Sequence, residues 1–142
     1  MSFLEEIQDD LVLQGIGEIP PTSSSSVYAI ILADWREDPD QQIVLFEFNV
    51  GSSGARVHDQ PGEKYVRQGL EALVRGVPGD YAGARAKAYQ IYSRWNGQIQ
   101  NERLGSTDYL QVSATSLPTL FRRDDQDRSF IQVTAEAFKR PS

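Results

Sequence analysis

Asp34, Glu37, Asp38 and Asp40 place four carboxylates within seven residues. Carboxylate oxygens are the ligands that Ca²⁺ and Mg²⁺ prefer in proteins, so a cation site here, serving a small metal-dependent hydrolase, is one hypothesis. The spacing does not match the EF-hand loop, which requires a glycine at its sixth position and a glutamate at its end. We therefore favour a solvated turn in this segment.

His58 is the only histidine, and the chain contains no cysteine. A catalytic triad and a histidine-rich metal site both need partners, and the polar, glycine-rich surroundings of His58 offer none. Gly15-Ile16-Gly17 follows a predicted helix, whereas a phosphate-binding loop follows a strand and opens a helix. We therefore predict a protein that is not an enzyme and that holds no metal and no cofactor.

The segment from Arg122 to Arg128 offers a different chemistry, because three arginines flank three aspartates in it. Planar guanidinium groups at such a tip can bind carboxylates of a neighbouring subunit through paired hydrogen bonds. Alternatively, the charges pair with one another in a solvent-exposed turn and contribute little to stability. The sequence leaves both interpretations open.

The composition indicates what kind of protein positions these groups. A chain of 142 residues suits one domain, and 39% apolar residues are enough for one core. A net charge of −6 argues against nucleic-acid binding as the main role, because such binding needs clustered Lys and Arg. The N-terminus lacks the basic region of a secretion signal, and no apolar run approaches the ~20 residues of a membrane span. We predict a single domain over residues 1–142 that stays in the cytoplasm.

The first residues predict a helix over residues 2–14. Ser2 and Glu5 have the spacing of a capping box, leucine or isoleucine recurs at positions 4, 7 and 11, and Gly15 is a typical helix stop. The other helix face is expected to be solvated, and it consists of Glu5, Glu6, Gln8, Asp9 and Asp10. The prolines and serines that follow predict a flexible segment at about 18–26.

Two apolar runs, Val27 to Leu32 and Ile43 to Phe48, predict strands that are buried on both faces and joined by the acidic segment 34–42. Residues 49–65 combine glycine, proline and polar residues over an unusual length for a loop in a compact domain, so we predict that they are flexible. The alternation of Leu70, Ala72 and Val74 with polar residues predicts a third strand that ends near Gly76.

Asp80 is placed to cap a second helix that ends at Asn96-Gly97. One stripe of this helix is expected to pack on the sheet, and it consists of Tyr81, Ala84, Ala88, Ile91 or Tyr92, and Trp95. The opposite face is expected to carry Lys87, Gln90 and Arg94. Two more strands are predicted, from Tyr109 to Ala114 and from Phe130 to Phe138. The order α-β-β-β-α-β-β predicts an α+β fold, a mostly antiparallel sheet with two helices packed on it.

Several segments, taken in order, resemble the phage tail-terminator and minor-capsid family that includes the lambda-type tail terminators. Tyr28 to Leu32, Asp38-Pro39-Asp40 and Ile43 to Phe48 are similar to the family's first strand, Pro-Asp turn and second strand. The run from Arg67 to Arg75 resembles its Arg-Pro-Gly-Leu-Gln-Val-x-Val-Arg strand, although Gln68 stands where proline is common.

The resemblance continues to the last strand. Residues 80–86 are similar to the family's Tyr-x-x-Ala-Arg helix start, and Ser116-Leu117-Pro118 resembles a Ser-x-Pro segment. Residues 123–128 resemble a Gly-Arg-Asp-x-x-x-Arg turn in which Arg122 replaces the glycine, and Asn49-Val50-Gly51 is a loose version of a Thr-Gly-Gly motif. The pieces cover nearly the whole chain, and their order and spacing carry the likeness.

The resemblance implies a virion protein of the tail or neck, assembled in the host cytoplasm. Such a protein forms a ring, commonly a hexamer, that caps the tail tube protein, stops tube polymerisation and offers a surface to the head connector, while DNA passes through the channel without specific binding. A neck or head-completion adaptor is the alternative among assembly proteins. The candidate subunit or partner contacts are Arg75, Arg123, Asp124, Arg128, His58 and Lys64.

Overall fold

The computed structural model describes residues 2–24, 26–48 and 66–140, which form two helices and seven strands of one mostly antiparallel sheet. The elements are, in chain order, α1 (Phe3–Leu13), β1 (Ala29–Leu32), β2 (Gln42–Phe48), β3 (Val66–Arg75), α2 (Tyr81–Trp95), β4 (Gln100–Leu104), β5 (Thr107–Ala114), β6 (Thr119–Arg123) and β7 (Ser129–Lys139). The predicted α+β fold and element order are confirmed, and β4 and β6 are strands that sequence reasoning did not identify. Neither described helix has the length and apolar character needed to cross a membrane.

β3 and β7 lie at the centre of the sheet, whose strand order is β1-β2-β3-β7-β5-β4. β1 pairs with β2 in parallel, and the other neighbours are antiparallel. On the side of β7 away from β3, the second half of β7 pairs with β5, whereas its first half pairs with β6. β6 is therefore an edge strand beside the first residues of β7.

Both helices pack on one face of the sheet. Alternate strand residues such as Leu45, Val74 and Ile131 share a single buried cluster with apolar residues of α1 and α2. In α2 the fully buried side chains of Ala84 and Ala88 are small, so the helix lies close to β3 and β7. Tyr81 was predicted to join the packed stripe, but it is 37% exposed, because it begins the helix beside β6, where the Arg123 guanidinium lies 6.0 Å from its ring centre.

The predicted capping box of α1 is confirmed, since the Ser2 hydroxyl accepts from the Glu5 amide and the Glu5 carboxylate accepts from the Ser2 amide. The prediction of a solvated polar face was wrong for Glu6, Gln8 and Asp10, which are buried. Each of these side chains meets a polar partner from a distant element. The Glu6 carboxylate, for example, accepts from the hydroxyls of Thr107 and Tyr109, each at 2.9 Å.

Arg94 was also placed on the wrong face of α2, because it is buried rather than solvated. Its guanidinium donates two hydrogen bonds to the Asp10 carboxylate, at 2.9 and 2.7 Å, and two to the Glu102 carboxylate, at 3.1 and 3.3 Å. The hydrogen bonds to Asp10 outweigh the effect of burial and raise the pKa of Arg94 above its ordinary value. α1, α2 and β4 are therefore joined by a buried ionic contact as well as by the apolar core.

The loop at residues 33–41 covers the opposite face of the sheet over β1 and β2. Trp35 packs against a second apolar cluster of Ala29, Ile31 and Val44, and its ring centre lies 4.8 Å from that of Phe130. This cover explains why β1 and the first half of β2 are buried on both faces, as predicted. The same prediction was wrong for the end of β2, because Glu47 and Phe48 lie beyond the covered part of the strand and are exposed. Within the segment 18–26, Glu18 forms a main-chain hydrogen bond with β1. The flexibility of this segment remains a prediction. The second segment predicted to be flexible, 49–65, lies outside the described residues.

Candidate functional site

The side chain of Arg75, the last residue of β3, holds the loop at residues 33–41 by binding main-chain carbonyls of that loop. The side chain is 3% exposed, and its Nε donates to the Asp40 carbonyl at 2.8 Å. Its Nη2 donates to the carbonyls of Arg36, Glu37 and Pro39 at 3.0, 3.1 and 2.8 Å. Burial lowers the pKa of Arg75, and the nearby positive charge of Arg128 lowers it further. One guanidinium thus binds four main-chain carbonyls of an otherwise irregular loop and holds the loop against the sheet.

Gln42, the first residue of β2, completes this arrangement. Its fully buried side chain donates from Nε2 to the carbonyls of Arg36 and Pro39, both at 2.7 Å, and accepts from the Arg36 amide at 3.2 Å. Buried backbone groups need partners because an unpaired one has a free-energy cost of about 1–3 kcal/mol. Arg75 and Gln42 supply those partners for a loop that has no regular secondary structure of its own.

The carboxylates of Asp34, Glu37 and Asp38 remain on the outside of the loop, where all three residues are exposed. Arg75 binds the carbonyl oxygens beside them rather than the carboxylates. In the described part of the chain, no group of three or more His, Asp or Glu residues is close enough to hold a metal ion. The geometry therefore supports a surface loop that is held in place by Arg75 and that exposes three carboxylates.

The turn between β6 and β7 is held by its own charges. The Asp124 carboxylate accepts from the Gln126 and Arg128 amides at 3.0 and 2.9 Å and from the Arg128 guanidinium at 2.7 Å. Burial disfavours the Asp124 charge, but the hydrogen bonds from Arg128 outweigh burial and lower the pKa of Asp124. Arg128 also donates to Asp40 at 3.1 Å and so ties the turn to the loop at residues 33–41.

β6 presents a contrasting surface, because all five of its residues are exposed. Its register with β7 shifts between Leu120 and Arg122, so Phe121 has no partner on β7. Phe121 is 56% exposed and Leu120 42% exposed, and Leu117 just before the strand is 59% exposed. The guanidinium carbon of Arg122 lies 4.6 Å from the centre of the Phe130 ring.

The six residues predicted from the sequence as subunit or partner contacts fall into three groups. Arg75, Asp124 and Arg128 are engaged within the chain, where they hold the loop and the turn in place. Arg123 lies on the exposed strand β6. His58 and Lys64 lie outside the described residues. The role of all six residues as contacts between proteins remains a prediction.

Sequence reasoning missed Gln42 and the apolar residues of β6. A buried glutamine at the start of a strand has no sequence signal, since its partners are main-chain atoms of a loop. The exposed group had a signal: two large apolar residues, Leu120 and Phe121, directly precede an Arg-Arg pair in a segment between Pro118 and an Asp-rich turn. Exposed aromatic and arginine side chains together are typical of protein interfaces.

Comparison with known proteins shows a likeness of fold and no match of sequence. No protein-family model matches the chain, and no curated protein matches it. Its fold is similar to that of a chain in the solved structure described as "Virion of native gene transfer agent (GTA) particle". The TM-score is 0.57 at 12% sequence identity, over 96% of this chain and 90% of the other. At this identity, the likeness establishes a shared fold.

Proposed function

We propose that this chain is a virion structural protein that forms a ring on the end of a phage tail tube, stops tube polymerisation and provides the docking surface for the head connector. The observation that carries the proposal is the fold shared, over nearly the full length of both chains, with a chain of a virion particle. The ordered series of segments that resembles the tail-terminator family supports it independently. The proposed location is the tail or neck of the virion, after assembly in the host cytoplasm.

The use that the chain makes of its charged residues supports a role based on shape. Arg75, Arg94 and Arg128 use their hydrogen bonds to hold the loop, the helix pair and the turn in place. A ring closes when head-to-tail contacts between identical subunits are related by a rotation that closes. Capping also needs two different faces, because one must fit the tube end and the other must fail to recruit further tube protein.

A negatively charged channel would suit the passage of DNA. The chain carries a net charge of −6, and like charges on channel and phosphates keep the DNA from binding. We propose that DNA passes through without a specific contact and that no cofactor takes part. A neck or head-completion adaptor is the second candidate, because a virion particle contains both kinds of protein and the fold likeness fits either.

Negative-stain microscopy of the purified protein mixed with tube protein tests the proposal. Capped tubes of fixed length, with a ring at one end, are the expected result. Pull-down against tube protein and against connector protein separates the two candidates: retention by the tube protein favours the cap, and retention by the connector alone favours the adaptor. Tubes that continue to grow at both ends in the presence of the protein would refute the capping function.

A further inference from the structure

An exposed apolar group stands out on the surface of the described residues. Leu117, Leu120 and Phe121 fall within five residues and are each at least 42% exposed. The other large, exposed apolar side chains among the described residues are scattered along the chain, at Leu13, Ile19, Phe48 and Tyr81. Single exposed apolar residues are normal on any protein, whereas a contiguous group marks a surface that binds something.

The backbone around Phe121 directs this side chain outward. Leu120 pairs with Ile131 and Arg122 pairs with Phe130, so Phe121 is the extra residue of a bulge. Bulges re-aim side chains and are frequent at sheet edges. Among the described residues β6 pairs only with β7, and no described strand lies along its other edge. Natural edge strands are usually covered or charged. This one carries two arginines, and beside them it exposes two large apolar side chains.

We infer that β6, with Leu117, is a contact between two copies of this chain, in which Phe121 packs against the neighbouring copy and Arg122 and Arg123 bind its carboxylates. This inference rests on the proposed ring, and it names the surface through which one subunit joins the next. Aromatic side chains at the centre of a contact with arginines beside them are the residue types that contribute most to protein association.

Charge complementarity identifies the occupant as a second copy. The whole chain carries −6, so the chain without Arg122 and Arg123 carries −8. A copy of the same chain is therefore an acidic partner for an arginine pair. The exposed carboxylates of Asp34, Glu37 and Asp38 show that such groups are available on the surface and held on a fixed loop. Opposite charges across an interface raise the association rate and make it fall with added salt.

Sedimentation velocity of the full-length chain over a concentration series tests the contact. The test variants are F121S and the double variant R122E/R123E, with R123E alone as the milder form because Arg122 also stacks on Phe130. L13S is the matched apolar control, since Leu13 is 83% exposed, and R85E/R103E is the matched charge control at two exposed arginines. Circular dichroism verifies that each variant is folded.

The expected result is that the test variants sediment as smaller species, while both controls assemble as the unchanged chain does. F121S should raise the subunit dissociation constant about 30-fold, the size typical of a central aromatic contact. For the unchanged chain, the subunit dissociation constant should also rise on the order of tenfold between 50 and 500 mM salt. For R122E/R123E, the dissociation constant should not rise with salt over this range.

If the unchanged chain is monomeric alone, the same variants are compared as rings on tube ends by microscopy. Rings from the controls but not from the test variants support the contact. Equal assembly by every variant overturns the contact and leaves the capping function standing. Normal rings that fail to cap tubes show that β6 faces another protein, which also overturns it. Absence of any capping by the unchanged chain instead refutes the proposed function.

Discussion

Replacement of Arg75 by methionine should separate the loop at residues 33–41 from the sheet. The substitution keeps much of the apolar stem and removes four hydrogen bonds to loop carbonyls. Gln42 still donates to the carbonyls of Arg36 and Pro39, so the carbonyls of Glu37 and Asp40 are the two that lose their donor. The loss is therefore counted from two hydrogen bonds and not from four.

The magnitude follows from that count. A hydrogen bond from a charged donor contributes about 1.5–3 kcal/mol. Burial lowers the pKa of Arg75, which means that the buried charge is itself unfavourable and that its removal offsets part of the loss. We take the lower end of the range for each bond and expect the free energy of unfolding to fall by about 3 kcal/mol. For a domain of this size, the melting temperature should fall by about 9 °C.

Urea unfolding followed by tryptophan fluorescence measures the effect. Trp35 is a local reporter, because the Arg75 guanidinium carbon lies 5.5 Å from its ring centre, and Trp95 reports on the core, where it is fully buried. A W35F background separates the two signals. R75K should fall between the unchanged chain and R75M, since an ammonium group cannot reproduce the planar fork of a guanidinium.

R123M is the matched control, because Arg123 is exposed on β6, and its free energy of unfolding should stay within about 0.5 kcal/mol of the unchanged chain. If R75M unfolds at the same urea concentration as R123M, the loop does not depend on Arg75 and the reasoning is wrong. A loss of more than about 5 kcal/mol would show that the four bonds act together and that Gln42 does not compensate.

Three further predictions concern buried and titratable groups. R94M leaves the buried Asp10 carboxylate without its cation and should lower the free energy of unfolding, measured by urea denaturation, by about 3–5 kcal/mol. In the double variant D10N/R94M, the free energy of unfolding should fall by less than the sum of the two single-variant losses. The pKa of Asp124 is lowered from 3.8 in the folded chain, so its stabilising effect is present above that pH and is lost as the pH falls through the lower folded value; D124N should flatten this acid limb in melting curves, and an unchanged limb would contradict the assignment. Burial, followed by the nearby Asp80 charge, raises the pKa of Tyr28 from 10.0 to about 12, so stability is full below pH 10 and falls between pH 10 and 12, and Y28F should remove that part of the alkaline loss.

Local sequence signals predicted the elements that depend on local physics. The capping box set the start of α1 at Ser2, and the alternation around Leu70, Ala72 and Val74 identified β3 because alternate strand residues face the core. β6 was not predicted, because all five of its residues are exposed and its sequence therefore shows no alternation of apolar and polar residues. Its pairing depends on β7 alone.

The polar interior could not be predicted, because its partners lie far apart in the sequence. Asp10 meets Arg94 across 84 residues, and Glu6 meets Tyr109 across 103. Seen on a helical wheel alone, Glu6 and Asp10 belong to the charged side and look solvated. A carboxylate is buried only when another element brings donors to it, and that arrangement is a property of the packed molecule and not of the helix.

The arginines of the β6–β7 hairpin illustrate why residue type alone does not separate structural groups from contacts. Arg123 and Arg128 flank the same turn and have the same donors. Arg128 directly precedes β7, the central strand, and therefore lies beside Asp124 and Asp40, which take its hydrogen bonds inside the molecule. Arg123 ends β6, the edge strand, where exposure leaves its guanidinium beside Tyr81 at the surface. The position of each strand in the sheet thus decides which arginine stabilises the subunit and which is available to a neighbour, and it places the proposed contact at Phe121, Arg122 and Arg123.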